Sequence, residues 1–135
     1  MSREDIENAR RGIEAWNRED LDAFLETWAE DAEWRPAFPE GTEGRAGVFR
    51  GREEIAQAWH NVREAWAEYR VEAEDARMVG ETLLVLGRIY ARGAKSGVEI
   101  DSEWSLVGRF KGGKAISAWD WLDHAHALKA VGLEE

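Results

Sequence analysis

The 135-residue chain predicts an α+β cone, in which helices come first, a curved antiparallel meander follows and a short helix closes the fold. Three observations predict it. Apolar residues recur at three-to-four spacing up to Trp66, the mark of amphipathic helices. From Tyr69 onward long strand-like runs replace that period. Glycine-containing turns divide those runs at meander spacing.

The elements follow in order. Ser2 and Asp5 read as a helix N-cap with an acidic first turn, and Ile6, Ala9, Ile13 and Trp16 form the stripe of a first helix. Asn17 to Asp20 repeat the capping signal, and Leu21, Phe24, Leu25 and Trp28 make the stripe of a second helix. Residues 32–35 read as a short strand. Pro36 to Arg50 carries both prolines and three glycines (Gly41, Gly44 and Gly47) without periodicity, which makes it a candidate lid or rim. Gly51 opens a third helix with the stripe Ile55, Trp59, Val62 and Trp66. Four strands follow: Tyr69 to Val79, Thr82 to Arg92, Val98 to Lys111 and Lys114 to Leu122. Gly80-Glu81, Gly93 to Gly97 and Gly112-Gly113 separate them. His124 to Leu133 reads as a final helix stopped at Gly132. The expectation is a single domain over residues 1–135.

Composition narrows the function. Eight tryptophans, four phenylalanines and two tyrosines supply more ring surface than a core of this size needs, enough also to wall a cavity for an organic ligand. A net charge of −10 argues against nucleic acid and anionic membranes as partners, since both need basic patches. There is no cysteine, hence no disulfide and no thiol chemistry. The start, Met1-Ser2-Arg3-Glu4-Asp5, lacks an apolar signal core, and no apolar run approaches a membrane span, so a soluble, cytoplasmic protein is expected.

Chemistry concentrates on the last strand, Ala118-Trp119-Asp120-Trp121-Leu122-Asp123. A desolvated carboxyl gains proton affinity and can act as a general acid or base near neutral pH. Strand alternation puts Ala118, Asp120 and Leu122 on one face and Trp119, Trp121 and Asp123 on the other. Parity alone favours burying the tryptophans and leaving Asp120 in water, since rings usually go inside. On the second meander strand Leu84, Leu86, Arg88 and Tyr90 share a face opposite Leu83, Val85, Gly87 and Ile89. Both faces are largely apolar, as expected of a central strand. Glu99, Asp101 and Glu103 alternate toward a solvated outer face, which turns Ile100, Ser102, Trp104 and Leu106 inward. His60 follows Trp59 on the third helix and can face the cone mouth. Asp123 is placed to cap the closing helix. His124 and His126 are spaced two apart and do not converge on one helical face, so no metal site is expected. No glycine-rich phosphate loop or nucleophile elbow is present.

The order of elements, with Phe49-Arg50-Gly51-Arg52-Glu53-Glu54-Ile55 opening the third helix and Gly113-Lys114 opening the last strand, resembles the SnoaL-like family of the nuclear transport factor 2-like superfamily. Gly87-Arg88, the stretch Ser96 to Asp101 and the ending Ala127 to Leu133 extend the similarity over the whole chain. The resemblance implies a cone-shaped fold with three helices on a curved, mostly antiparallel sheet, and, against parity alone, an inward Asp120. It also implies a homodimer through the outer face of the sheet and chemistry without a cofactor. Its relatives' catalytic sets are present only in part. Ketosteroid isomerases carry two acids where this chain has Pro36 and Leu106. Limonene epoxide hydrolases carry an Arg-x-Asp motif and a last-strand aspartate, matched here by Arg88-Ile89-Tyr90 and Asp120. Polyketide cyclases of the family carry His-Trp-Asp where this chain reads Ala118-Trp119-Asp120.

These readings combine into one expectation: a small, largely apolar organic molecule binds in the cone. Asp120 is the expected general acid or base, with Arg88 and Tyr90 orienting it. Trp16, Trp34, Trp59, His60, Ser102, Trp104 and Leu106 are expected to contact the ligand. The alternative is a non-catalytic binding module or a dimeric interaction module.

Overall fold

A computed structural model describes residues 2–37 and 47–133. Helix α1 (Ser2–Asn17) and helix α2 (Leu21–Glu26) meet at a sharp corner. Glu19 takes a left-handed backbone there, with φ of 61°. Asp20 then caps α2, its carboxylate accepting the Ala23 N–H at 3.1 Å. The Asn17 amide pins the corner to the sheet by donating to the Val71 carbonyl and accepting the Val71 N–H, at 2.8 and 2.9 Å.

Two expected helical stripes end early. Thr27 turns its hydroxyl onto the Phe24 carbonyl at 2.7 Å and stops α2, so Trp28 begins strand β1 (Trp28–Arg35) instead of continuing the helix. The expected strand at 32–35 is therefore the second half of a longer one. Helix α3 (Gly51–Ala65) likewise stops before Trp66, which opens strand β3 (Trp66–Val79). Between β1 and α3 lies the two-residue strand β2 (Phe49–Arg50), paired to β1. Most of the expected lid, residues 38–46, falls outside the described residues.

The meander forms as expected. Strand β4 (Thr82–Gly93), strand β5 (Glu99–Lys111) and strand β6 (Lys114–Trp121) pair in antiparallel succession after β3. Gly112 and Gly113, with φ of 60° and 78°, make the tight turn into β6 that only glycine adopts cheaply at both positions. The sheet is wider than the meander, however. Strand β1 adds to β6 in parallel, giving the order β2-β1-β6-β5-β4-β3 in one curved, unclosed sheet. Register breaks in β3, β5 and β1 mark where it bends.

Helices α1, α2 and α3 cover the inner face. Trp16, Phe24, Trp28, Trp34, Trp59 and Tyr69 meet Leu83, Val85 and Ile89 in one buried cluster. The short helix α4 (Ala125–Ala130) packs on β5 and β6 and buries Ala127 completely. Asp123 holds its start, accepting the His126 N–H at 2.8 Å; that bond, before anything else, keeps the Asp123 carboxyl below the ordinary range. No helix among the described residues is long and apolar enough to cross a membrane.

Candidate functional site

Parity along β6 decides the site. Asp120 and Ala118 point between the sheet and α1, whereas Trp119 and Trp121 point to the opposite side. Leu106 is the cross-strand partner of Asp120, and Trp104 follows two residues away on the same face of β5. From β1, opposite Ala118, comes Trp34, whose indole N–H donates to Asp120 Oδ1 at a long 3.4 Å.

These residues line a partly open cavity of about 80 Å³. Helices α1 and α2 contribute Asn8, Ile13, Trp16 and Phe24 to its wall. The strands add Trp28, Tyr69, Val85 and Phe110 to those already named. The rings brace one another edge to face. Trp16 sits at the centre, its ring 4.9 Å from that of Trp59, 5.1 Å from Tyr69, 5.4 Å from Phe24 and 5.9 Å from Trp34. Behind them Arg63 lies 4.5 Å over Trp16 and 4.7 Å over Trp59, donating to the Trp16 and Tyr69 carbonyls. Burial lowers the proton affinity of this guanidinium, opposed by Glu19.

Among the described residues that line the cavity Asp120 is the one carboxyl, and it is 7% exposed. Burial pushes its pKa from 3.8 up to about 7, because the charged form loses its water and gains little in return. The Trp34 and Trp104 indoles oppose the rise. Their help is weak: the Trp34 bond is long, and the Trp104 N–H, though near, makes no hydrogen bond. A carboxyl so placed can give or take a proton near neutrality.

The structure brings together Asp120, Trp16, Trp34, Trp104 and Leu106 from the residues that sequence singled out. It places five others elsewhere. Arg88 and Tyr90 lie on the face of β4 opposite Val85, so the expected Arg88–Asp120 pair does not form. Arg88 instead donates to Asp101 Oδ1 across the outer face at 2.7 Å. Its guanidinium holds its proton more firmly for that reason, with a smaller contribution from Tyr90. Trp59 is buried behind Trp16 and does not line the cavity, and His60 is exposed on the far side of α3. Ser102 faces inward but donates to the Glu103 and Leu122 carbonyls, beyond the cavity's end. Sequence reasoning missed Asn8, Tyr69 and Phe110. Trp28, expected in the core or the cavity wall, lines the cavity from β1 and not from a helix. Asn8 had a signal: it falls one turn before Gly12 and two before Trp16, on the face of α1 that is most buried.

Among the described residues no three metal-ligating side chains gather. Residues 9–118 match the SnoaL-like domain. The chain belongs to the SnoaL-like family. Curated proteins offer no match. Solved structures offer many. A nuclear transport factor 2-like protein of unknown function from Burkholderia pseudomallei is 26% identical, with 98% of this chain and 99% of that one covered and a TM-score of 0.79. TerC, co-crystallised with polyporic acid, is 19% identical over 95% of this chain and 98% of its own, with a TM-score of 0.77. IdmH, a putative polyketide cyclase from Streptomyces antibioticus, is 19% identical over 93% and 96%, with a TM-score of 0.72. These likenesses carry the fold. The SnoaL-like fold is thus common ground, and what this member does with it rests on its own lining.

Proposed function

We propose that this SnoaL-like protein binds a small, largely apolar organic molecule in the cavity and that Asp120 exchanges a proton with it, without a cofactor. The observation that carries the proposal is Asp120 itself, an acid buried among tryptophans with a pKa near 7. Burying a carboxyl without a charged partner costs stability. A cost kept inside a cavity, where a ligand would meet the acid, is the pattern of a working site.

A simple carbon acid tests this. Cyclopentanone dissolved in D2O exchanges its α-protons slowly, and the protein should accelerate that exchange along a profile that rises through pH 7. Asp120→Asn should lower the protein-dependent rate by about 100-fold or more, the usual worth of a positioned general base. Equal exchange by both proteins would remove Asp120 from the chemistry.

A second reading is favoured by a specific observation: Arg88 and Tyr90 face away, so no cationic side chain stands beside Asp120 among the described residues lining the cavity. The cavity then serves a non-catalytic binding module, and Asp120→Asn retains ligand while neither protein exchanges protons. The stacked, partly exposed pair Trp119 and Trp121 on the outer face supports a homodimer through the sheet. Light scattering giving twice 15.4 kDa is the expected result, and the monomer mass would refute it.

A further inference from the structure

The cavity wall contains two indole donors without an acceptor at ordinary hydrogen-bond distance, although Trp104 is near enough to Asp120 to oppose the rise in its pKa. The indole N–H groups of Trp28 and Trp104 are buried and find no acceptor, although both residues line the cavity. Buried donors are seldom left so, and each one that remains favours whatever brings it an acceptor. Other donors of the wall have partners. The Asn8 amide gives one N–H to the Thr27 carbonyl at 3.0 Å, the Thr27 hydroxyl donates to the Phe24 carbonyl, the Trp16 N–H to the Tyr69 carbonyl at 3.1 Å and the Trp34 N–H to Asp120 at 3.4 Å. The two free donors stand apart. Trp28 lies opposite Ala115 at the start of β6, while Trp104 lies beside Asp120 at its end.

Size and charge narrow the ligand further. A cavity of about 80 Å³ is smaller than the roughly 150 Å³ that accommodates benzene in an engineered protein core. Its described part takes a compact group, one ring at most with some yielding of the walls. No lysine or arginine lines it among the described residues, so a carboxylate or phosphate would enter without a counter-charge.

We propose that the cavity selects a compact neutral molecule bearing an acceptor oxygen, such as a ketone, lactone or ether, and that the Trp104 indole N–H is the donor that recognises this oxygen. The proposal rests on the cavity being a ligand site. It adds the ligand's polarity and the residue that reads it. Trp104 is favoured over Trp28 because an oxygen held there sits beside the acid.

Titrations of the uniformly 15N-labelled protein, following the indole cross-peaks, test both layers separately. Cyclopentanone and methylcyclopentane have the same ring and the same number of heavy atoms and differ in the acceptor. Cyclopentanone should bind about fivefold or more tighter, the worth of one net hydrogen bond, and should move the Trp104 indole proton downfield. Trp104→Phe should remove the preference while leaving methylcyclopentane binding in place. Should that variant fail to fold, the Trp104 shift in the native protein still decides. Equal affinity for the two probes, a preference unaltered by Trp104→Phe, or tighter binding of trimethylammonium through the rings and Asp120 would each overturn the inference. Those three outcomes leave the cavity a ligand site. Binding of no probe at all would instead defeat the ligand-site proposal beneath it.

Discussion

The two faces of the sheet solve opposite problems with the same kinds of residue. On the inner face, rings pack edge to face around a cavity and leave an acid without a charged partner. On the outer face, charges find partners in water, Arg88 with Asp101 and Arg50 with Glu33. The rings there stack on one another at the surface. Trp119 lies on Trp121 at 4.9 Å, with the Arg35 guanidinium 4.4 Å from the Trp119 ring. On β6 the ordinary partition is inverted over two consecutive residues, since Trp119 is 44% exposed and Asp120 is 7% exposed. A strand chosen for stability alone would place them the other way round. The inversion teaches that the inner face gives up some stability to keep an acid dry, and the outer face keeps a large apolar surface open.

The sharpest way to break the contrast is to remove one ring from each face. Trp16 touches four other rings and is buried, so Trp16→Ala should cost roughly 3–5 kcal/mol in a urea or guanidinium melt. Trp119→Ala, on the outer face, should cost less than about 1 kcal/mol. Comparable losses would mean that the outer rings belong to a second core and that the two faces do not differ as described.

A somewhat smaller effect belongs to the acid. In the unfolded chain Asp120 has the ordinary pKa of 3.8; in the fold burial holds it at about 7. Below pH 3.8 both states carry the proton and the group costs nothing. As pH rises toward 7 the unfolded chain releases its proton and the folded one keeps it, so stability falls, and above 7 the loss levels off. At about 1.4 kcal/mol per pKa unit the rise corresponds to roughly 4 kcal/mol. Asp120→Asn carries no such penalty. Its advantage over the native protein should be near zero at pH 4 and grow to a few kcal/mol by pH 8. A stability difference that stays flat between those values would mean that Asp120 is charged and solvated in the fold.

How much of this was legible in the sequence follows from which interactions are local. Glycine turns and alternation are local, and they marked all four meander strands to within a few residues, with the inward turn of Trp104 and Leu106; alternation alone would have buried Trp119 and Trp121, and only the family resemblance turned Asp120 inward. Trp28 and Trp66 were misassigned because an apolar residue at the right spacing continues a helical stripe whether or not the backbone does. Thr27 ended the first stripe through a hydroxyl bond that spacing does not reveal. The parallel pairing of β1 with β6 joins segments some 80 residues apart and had no local signature. It is also what brings Trp34 to Asp120, so that hydrogen bond to the acid was out of reach of the sequence.

Arg88 is the instructive miss. Alternation had already set it on the face opposite Val85, but both faces of β4 are apolar, and parity cannot say which one is inside. The resemblance to epoxide hydrolases then drew it toward Asp120. A second signal pointed the other way. Glu99, Asp101 and Glu103 alternate along β5, and antiparallel register sets Arg88 opposite Glu103, next to Asp101. A row of acids facing water is where an arginine on the neighbouring strand finds its partner. The smallest predicted effect tests this placement. Arg88→Ala removes a pair whose side chains are 37% and 61% exposed, and exposed pairs contribute about 0–1 kcal/mol. Stability should therefore change by less than about 1 kcal/mol, with the difference shrinking in high salt. The Asp120 carboxyl, followed by its 13C resonance, should titrate near pH 7 in the variant as in the native protein. A titration displaced upward in Arg88→Ala would show that the guanidinium acts on the acid through the sheet, and the two faces would then be one electrostatic unit.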